Sequence, residues 1–258
     1  MANKDYKVFI VEGEDREPQI ISNISKVFFT HGNYKIITLP AGKNIYMLWA
    51  QMKEDDFDTD IVEIIKEDNS DIANQLKGLS RNDFSEVYLF FDYDVHHKNL
   101  SDSLNDDVVR QMLESFDNET ENGKLYISYP MVEALRDYMP GRCGIKKDCF
   151  IEKQALIDYK NISAERSLNP HLKKYDIDVW KDIIGVFAMR VFCLLDLPDT
   201  MEYELYSSEA TPSQIYAVEV EKGEGHRVFI LSAFPEFLID YFGVKLWKTC
   251  GKYKMRCE

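Results

Sequence analysis

Long apolar runs are scarce in this chain. The longest, Ile183 to Leu197, is interrupted by Arg190 and Asp196, which leaves it short of the roughly 20 apolar residues a membrane-crossing helix needs. Positive charge is also in deficit: 31 Lys and Arg stand against 45 Asp and Glu, for a net charge of −14. General affinity for nucleic acid is thereby excluded, because backbone binding is driven by Lys and Arg displacing counterions. A nucleic-acid substrate would need a local basic surface or a partner protein. Cysteine is sparse and odd in number. Cys143, Cys149, Cys193, Cys250 and Cys257 contain no CxxC pair, which fits neither a secreted disulfide framework nor a structural zinc site. Reduced thiols in a cytoplasmic protein are the expectation. The polar start, Met1 to Lys7, does not read as a signal peptide. No glycine-rich Walker loop, internal repeat or low-complexity segment is present.

Apolar and aromatic residues are plentiful. Hydrophobic residues make up 45% of the 258, with 15 Phe and 15 Tyr among them, enough for a substantial core. Residues 6 to 140 alternate strand and helix patterns, as a parallel sheet with crossover helices does. Val8 to Val11 and Glu86 to Phe91 read as buried strands, Tyr34 to Leu39 as another, and Lys124 to Tyr129 as a fourth. Helical spacing links Ile20, Ile21, Ile24, Val27 and Phe28. The pattern further predicts helices over Lys43 to Glu54, over Thr59 to Leu79, and through Val108, Val109, Met112, Leu113 and Phe116. Glu54 to Asp58 reads as a solvated turn. Pro130 is placed for the first position of a helix after the fourth strand. Residues 141 to 258 lose the alternation and read as a mainly helical region. Its strongest helix runs through Val179, Ile183, Ile184, Phe187, Val191 and Leu194, an apolar surface that could support a homo-oligomer. The end of the chain interleaves Lys245, Lys248, Lys252, Lys254 and Arg256 with Trp247 and Tyr253, which reads first as a solvated tail and second as a nucleic-acid contact.

Chemistry concentrates at two strand ends. Val8 to Val11 runs into Glu12-Gly13-Glu14, and Val87 to Phe91 runs into Asp92-Tyr93-Asp94. An open α/β sheet places ligands outside the carboxyl ends of its strands. Carboxylates gathered there form a hard oxygen site suited to Mg²⁺ or Mn²⁺. Gly13 would let a substrate or metal approach the backbone closely, and Glu14, Asp15 and Glu17 also suit the first turn of a helix. On an extended backbone Asp92 and Asp94 project to the same side, where two like charges are costly unless a cation joins them. Glu133, expected one helical turn after the fourth strand, could reach the same cleft. Arg136 could pair with Glu133, and His96 and His97 could touch phosphate but read more simply as surface residues.

In order, Val11-Glu12-Gly13 and Phe91-Asp92-Tyr93-Asp94, inside a β-α-β-α-β-α-β unit, resemble the Toprim fold of topoisomerases, primases, RecR-type mediators and overcoming-lysogenization-defect (OLD) nucleases. Tyr129-Pro130-Met131-Val132-Glu133 resembles the added acidic element of OLD-like and DUF4435-like bacterial defence nucleases. The resemblance covers a Toprim-like domain over residues 1 to 140, with residues 141 to 258 as a helical extension. It implies Mg²⁺ or Mn²⁺ among Glu12, Asp92 and Asp94, with Glu133 and an acid such as Glu17 in support, and hydrolysis or nicking of DNA or RNA. A partner ATPase or sensor and an abortive-infection role against phage belong to the same implication. Arg16 stands where many relatives carry a second acid, so Glu14, Asp15 and Glu17 remain alternatives for completing the first cluster. A different enzyme class is offered by Asp92-Tyr93-Asp94-Val95, which fits the Asp-x-Asp start of haloacid-dehalogenase-like phosphatases, although two strands precede it here. A degenerate Toprim scaffold without catalysis is the reading outside enzymes.

Overall fold

In the computed structural model, residues 6–32, 34–94, 102–138, 149–169, 171–198, 200–223 and 225–250 are described. His96 and His97, the tail from 251 onward and the junction at 139–148 lie outside them. The described residues form an α/β protein whose main sheet has five strands in the order β2-β1-β3-β5-β4. These are β1 (Tyr6–Val11), β2 (Lys35–Pro40), β3 (Phe84–Asp92), β4 (Asp117–Asn118) and β5 (Gly123–Ser128). β1 runs parallel to both β2 and β3, and β4 pairs antiparallel with β5. Val8, Phe9, Ile10 and Val11 are wholly buried, the continuous burial of a strand covered on both faces.

Packing divides the chain into two compact units, residues 1–91 with 103–125, and residues 92–102 with 126–258. In the first, α1 (Arg16–Phe28), α2 (Ile45–Glu54), α3 (Ile61–Asp68), α4 (Ser70–Gln75) and α5 (Asp102–Ser115) accompany the strands. Ile20, Ile24, Leu48, Ile61, Val62 and Met112 give them buried faces. The single helix expected over Thr59 to Leu79 is two helices. Asn69 takes an extended backbone, and its side chain accepts from the Asp71 and Ile72 N–H groups, ending α3 and starting α4. Such residues compete with the helix ladder for backbone donors. The Glu54 to Asp58 turn forms as expected, with Asp56 and Phe57 both in the left-handed region. Gly123 opens β5 at φ 112°, where a Cβ would fall 2.5 Å from a Leu89 methyl, so only glycine fits.

The second unit is mainly helical, with α6 (Tyr159–Arg166), α7 (Ile177–Leu194), α8 (Tyr203–Glu209), α9 (Pro212–Gly223) and α10 (Ala233–Cys250). Sequence periodicity did not reveal its two-stranded antiparallel sheet, β6 (Phe150–Glu152) with β7 (Arg227–Phe229). Among the described residues that follow β5 directly, no α-helix starts at Pro130. Pro130 follows a cis peptide, Tyr129 bridges to Leu231, and Val132–Arg136 forms a 3-10 turn. The apolar surface read as a homo-oligomer face is interior: α7 buries 12 of its 18 residues and packs against α10. Trp247 is core rather than tail. It is buried, its ring lies 4.9 Å from that of Tyr206, and its indole N–H donates to Met201 O. Among the described residues, Cys149, Cys193 and Cys250 are not joined in disulfides, and no helix is long and apolar enough to cross a membrane.

Candidate functional site

In the first unit, Glu12 is the residue after β1. Its N–H donates to Phe90 O, and its carbonyl accepts from Gly42 N, fastening the loop between the ends of β3 and β2. Val11 stands opposite Phe90 in the register, so the apolar run of β1 delivers Glu12 to the carboxyl edge of the sheet, half-buried. Gly13 is not an open approach to the backbone. Glu17, in the first turn of α1, folds back over it, and a Cβ on Gly13 would lie 2.8 Å from Glu17 Oε2 and 3.1 Å from Oε1. Glu17 is buried, whereas Glu14 and Asp15 are exposed. Glu14 leans toward the β2–α2 loop, with Oε1 3.7 Å from the Cβ position of Gly42. Of the three acids that could accompany Glu12, Glu17 is the one packed against its loop.

In the second unit, Asp92 closes β3 and the chain then turns at once. The Asp94 N–H donates to Asp92 O at 3.0 Å, a three-residue turn centred on Tyr93, so the extended alternation expected to align the two carboxylates does not apply. The cause is Tyr93, which is buried between Tyr129 (ring centroids 5.2 Å) and Tyr216 (6.0 Å) and whose N–H donates to Ser128 O. Asp92 and Asp94 are both half-buried. Ser128 Oγ in turn accepts from Ala233 N, the start of α10.

Glu133 lies in a 3-10 turn, where the first turn of an α-helix was expected, and is only 4% exposed. Arg136 does not pair with it. Its guanidinium donates to Ser163 Oγ and Lys160 O, tying the turn to α6. Burial pushes the Tyr129 hydroxyl well above its ordinary value, reinforced by the nearby Glu219 and Glu236 carboxylates. Glu219 and Glu236 are themselves buried. Sequence reading passed over both, since each sits at a helical position that looks like an ordinary solvent-facing acid.

The candidate donors are all carboxylates, the hard oxygen chemistry that Mg²⁺ and Mn²⁺ take. Among the described residues, no group of three or more His, Cys, Asp or Glu is gathered as a ready cage. Mg²⁺ is commonly held by one or two carboxylates together with substrate phosphate and waters rather than by an all-protein cage, and Glu12 with Glu17 in the first unit, and Asp92 and Asp94 in the second, each supply donors of that kind. The fold and these strand-end acids define an α/β protein with a mostly parallel sheet. No protein-family model, curated protein or solved structure matches the chain.

Proposed function

We propose that this protein is a Toprim-like, Mg²⁺- or Mn²⁺-dependent nuclease or nickase that hydrolyses phosphodiester bonds in DNA or RNA. The observation that supports the reading is that two strands of the sheet each end on a carboxylate: Glu12 follows β1 directly, and Asp92 is the last residue of β3. Glu12, Asp92 and Asp94 would hold the ion, and Glu17, packed on Gly13, would complete the first cluster. A bound divalent ion supplies charge neutralisation at the phosphoryl oxygens and a water of lowered pKa. The chain's own carboxylates orient that water and the scissile phosphate. Glu133, being buried, serves as a positioning acid rather than a group that meets solvent.

The net charge of −14 predicts weak intrinsic affinity for the polyanion. We therefore assign recruitment to a partner, an ATPase or sensor in an anti-phage abortive-infection setting. That assignment rests on the family resemblance alone. The test is incubation of supercoiled plasmid and of tRNA with the purified protein in Mg²⁺ or Mn²⁺, beside Glu12→Gln and Asp92→Asn. Metal-dependent nicking or cleavage that both variants lose is the expected result. Cleavage that survives in Asp92→Asn, or turnover confined to a phosphomonoester, would contradict it.

A further inference from the structure

The first unit holds a second concavity, unrelated to the strand-end acids. It is a cavity of about 300 Å³ walled by Trp49, Phe57, Phe116, Asp58, Asp60 and Asn122 among others, at the low end of small-molecule sites. Its apolar part combines three aromatic rings with Met52 and Ile61. Phe57 lies 4.9 Å from Trp49 and Phe116 5.9 Å, centroid to centroid. The Trp49 side chain is nearly sealed, 4% exposed, yet its indole N–H has no acceptor. Nearby, Asp55 Oδ1 is buried with no donor, while Oδ2 accepts from Thr59 N. Trp49 lines the cavity; its buried, unmatched N–H costs free energy, and a ligand carrying an acceptor would recover it.

The turn that shapes this wall is itself strained. Asp56 (φ 55°) and Phe57 (φ 61°) are consecutive left-handed residues, a conformation that L side chains adopt at a cost and that gathers at ligand clamps. It leaves the Phe57 ring 45% exposed against Trp49, an apolar face presented to solvent. Asp60, also in the lining, caps α3 by accepting from Val62 N–H and faces Arg81 Nε at 3.6 Å. Burial raises its carboxyl above the usual aspartate range despite that guanidinium.

We infer that this cavity binds a planar heteroaromatic ring bearing both a hydrogen-bond acceptor and an exocyclic amino group, the chemistry of an adenine or cytosine base. The ring packs on the exposed Phe57 ring, its acceptor takes the in-plane Trp49 N–H, and its amino group donates to a carboxylate oxygen of Asp58 or Asp60 in the lining. The inference is independent of the nuclease reading. It would hold for a protein that cleaves nothing.

Calorimetric titration of adenosine, cytidine and uridine into the full chain tests it, with Trp49→Phe and Phe57→Ala as variants. Saturable binding of adenosine or cytidine, weaker for uridine, is expected. Trp49→Phe, which keeps an aromatic face and removes the N–H, should weaken it by about tenfold. Phe57→Ala should weaken it comparably, and because Phe57 is half-exposed that variant remains informative if Trp49→Phe fails to fold. No saturable heat with any nucleoside, equal affinity for uridine, or affinity unchanged in Phe57→Ala would each overturn the assignment.

Discussion

The three atoms nearest a methyl group on Gly13 would all belong to the Glu17 carboxylate. Glycine is favoured here by a carboxylate's position, not by a left-handed turn. Gly13→Ala should lower stability by less than about 1 kcal/mol, because a flexible side chain yields easily, while shifting Glu17 off the Glu12 loop. A melting curve close to wild type together with at least a tenfold loss of metal-dependent cleavage is the expected pair of results. Unchanged cleavage would show that Glu17 plays no part in the site. The sequence placed Glu12 correctly because four buried residues precede it, but it could not rank Glu14, Asp15 and Glu17. That ranking depends on which side chain folds back over the loop, a contact between neighbouring elements. Tyr93 carried a similar blind spot: its burial against two other tyrosines turns the chain between Asp92 and Asp94, where alternation alone implies a straight strand.

At the scale of elements, strands with continuous apolar runs were legible and short or interrupted ones were not. β1, β2, β3 and β5 announce themselves by their runs. β6 and β7, three residues each, offer too little pattern, and β4 has only two residues. The break between α3 and α4 was hidden by apolar periodicity that continues through Ile72 and Leu76, although Asn69 is a residue type that caps helices. Asn69→Ala removes the acceptor for the Asp71 N–H at 3.0 Å and the Ile72 N–H at 3.3 Å. It should cost about 1 kcal/mol, read as a lower urea midpoint with an unchanged slope. No change would mean that the break is held by packing alone. Pro130, placed by its residue type at a helix start, instead separates β5 from a 3-10 turn. The governing contact, Tyr129 with Leu231, lies about a hundred positions away in sequence and has no local signature.

Within the second unit, one buried ionic network has a direct bearing on stability. Arg190, on α7 and 6% exposed, donates to Ile230 O at 3.0 Å and faces Asp137 Oδ1 at 3.9 Å. Asp137 also accepts from the Tyr159 hydroxyl and from Arg166. Burial nonetheless raises the Asp137 carboxyl above the aspartate norm, with Arg190 and Arg166 opposing the rise. A carboxyl raised in the folded state binds its proton more tightly there than in the unfolded chain. Its contribution is accordingly favourable at low pH and is lost as pH climbs from the ordinary aspartate value through the raised one. Arg190→Met removes the main opposing charge and should destabilise by about 3–5 kcal/mol when Asp137 is ionised, with a smaller loss in acid. Denaturant unfolding at pH 5 and pH 8 checks this, and a loss that is greater at pH 5 would contradict it. The same helix illustrates the limit of composition: its apolar length was readable, but whether it faced a partner or its own core was decided by α10.

In the proposed nuclease, strand-end carboxylates hold a divalent ion together with a phosphodiester. Mn²⁺ binding followed by electron paramagnetic resonance, with and without a cleavage-resistant phosphorothioate oligonucleotide, addresses it directly. Mn²⁺ affinity should tighten when the oligonucleotide is present, and the tightening should vanish in Asp92→Asn. Affinity that ignores the oligonucleotide, or that is the same in Asp92→Asn, would contradict it.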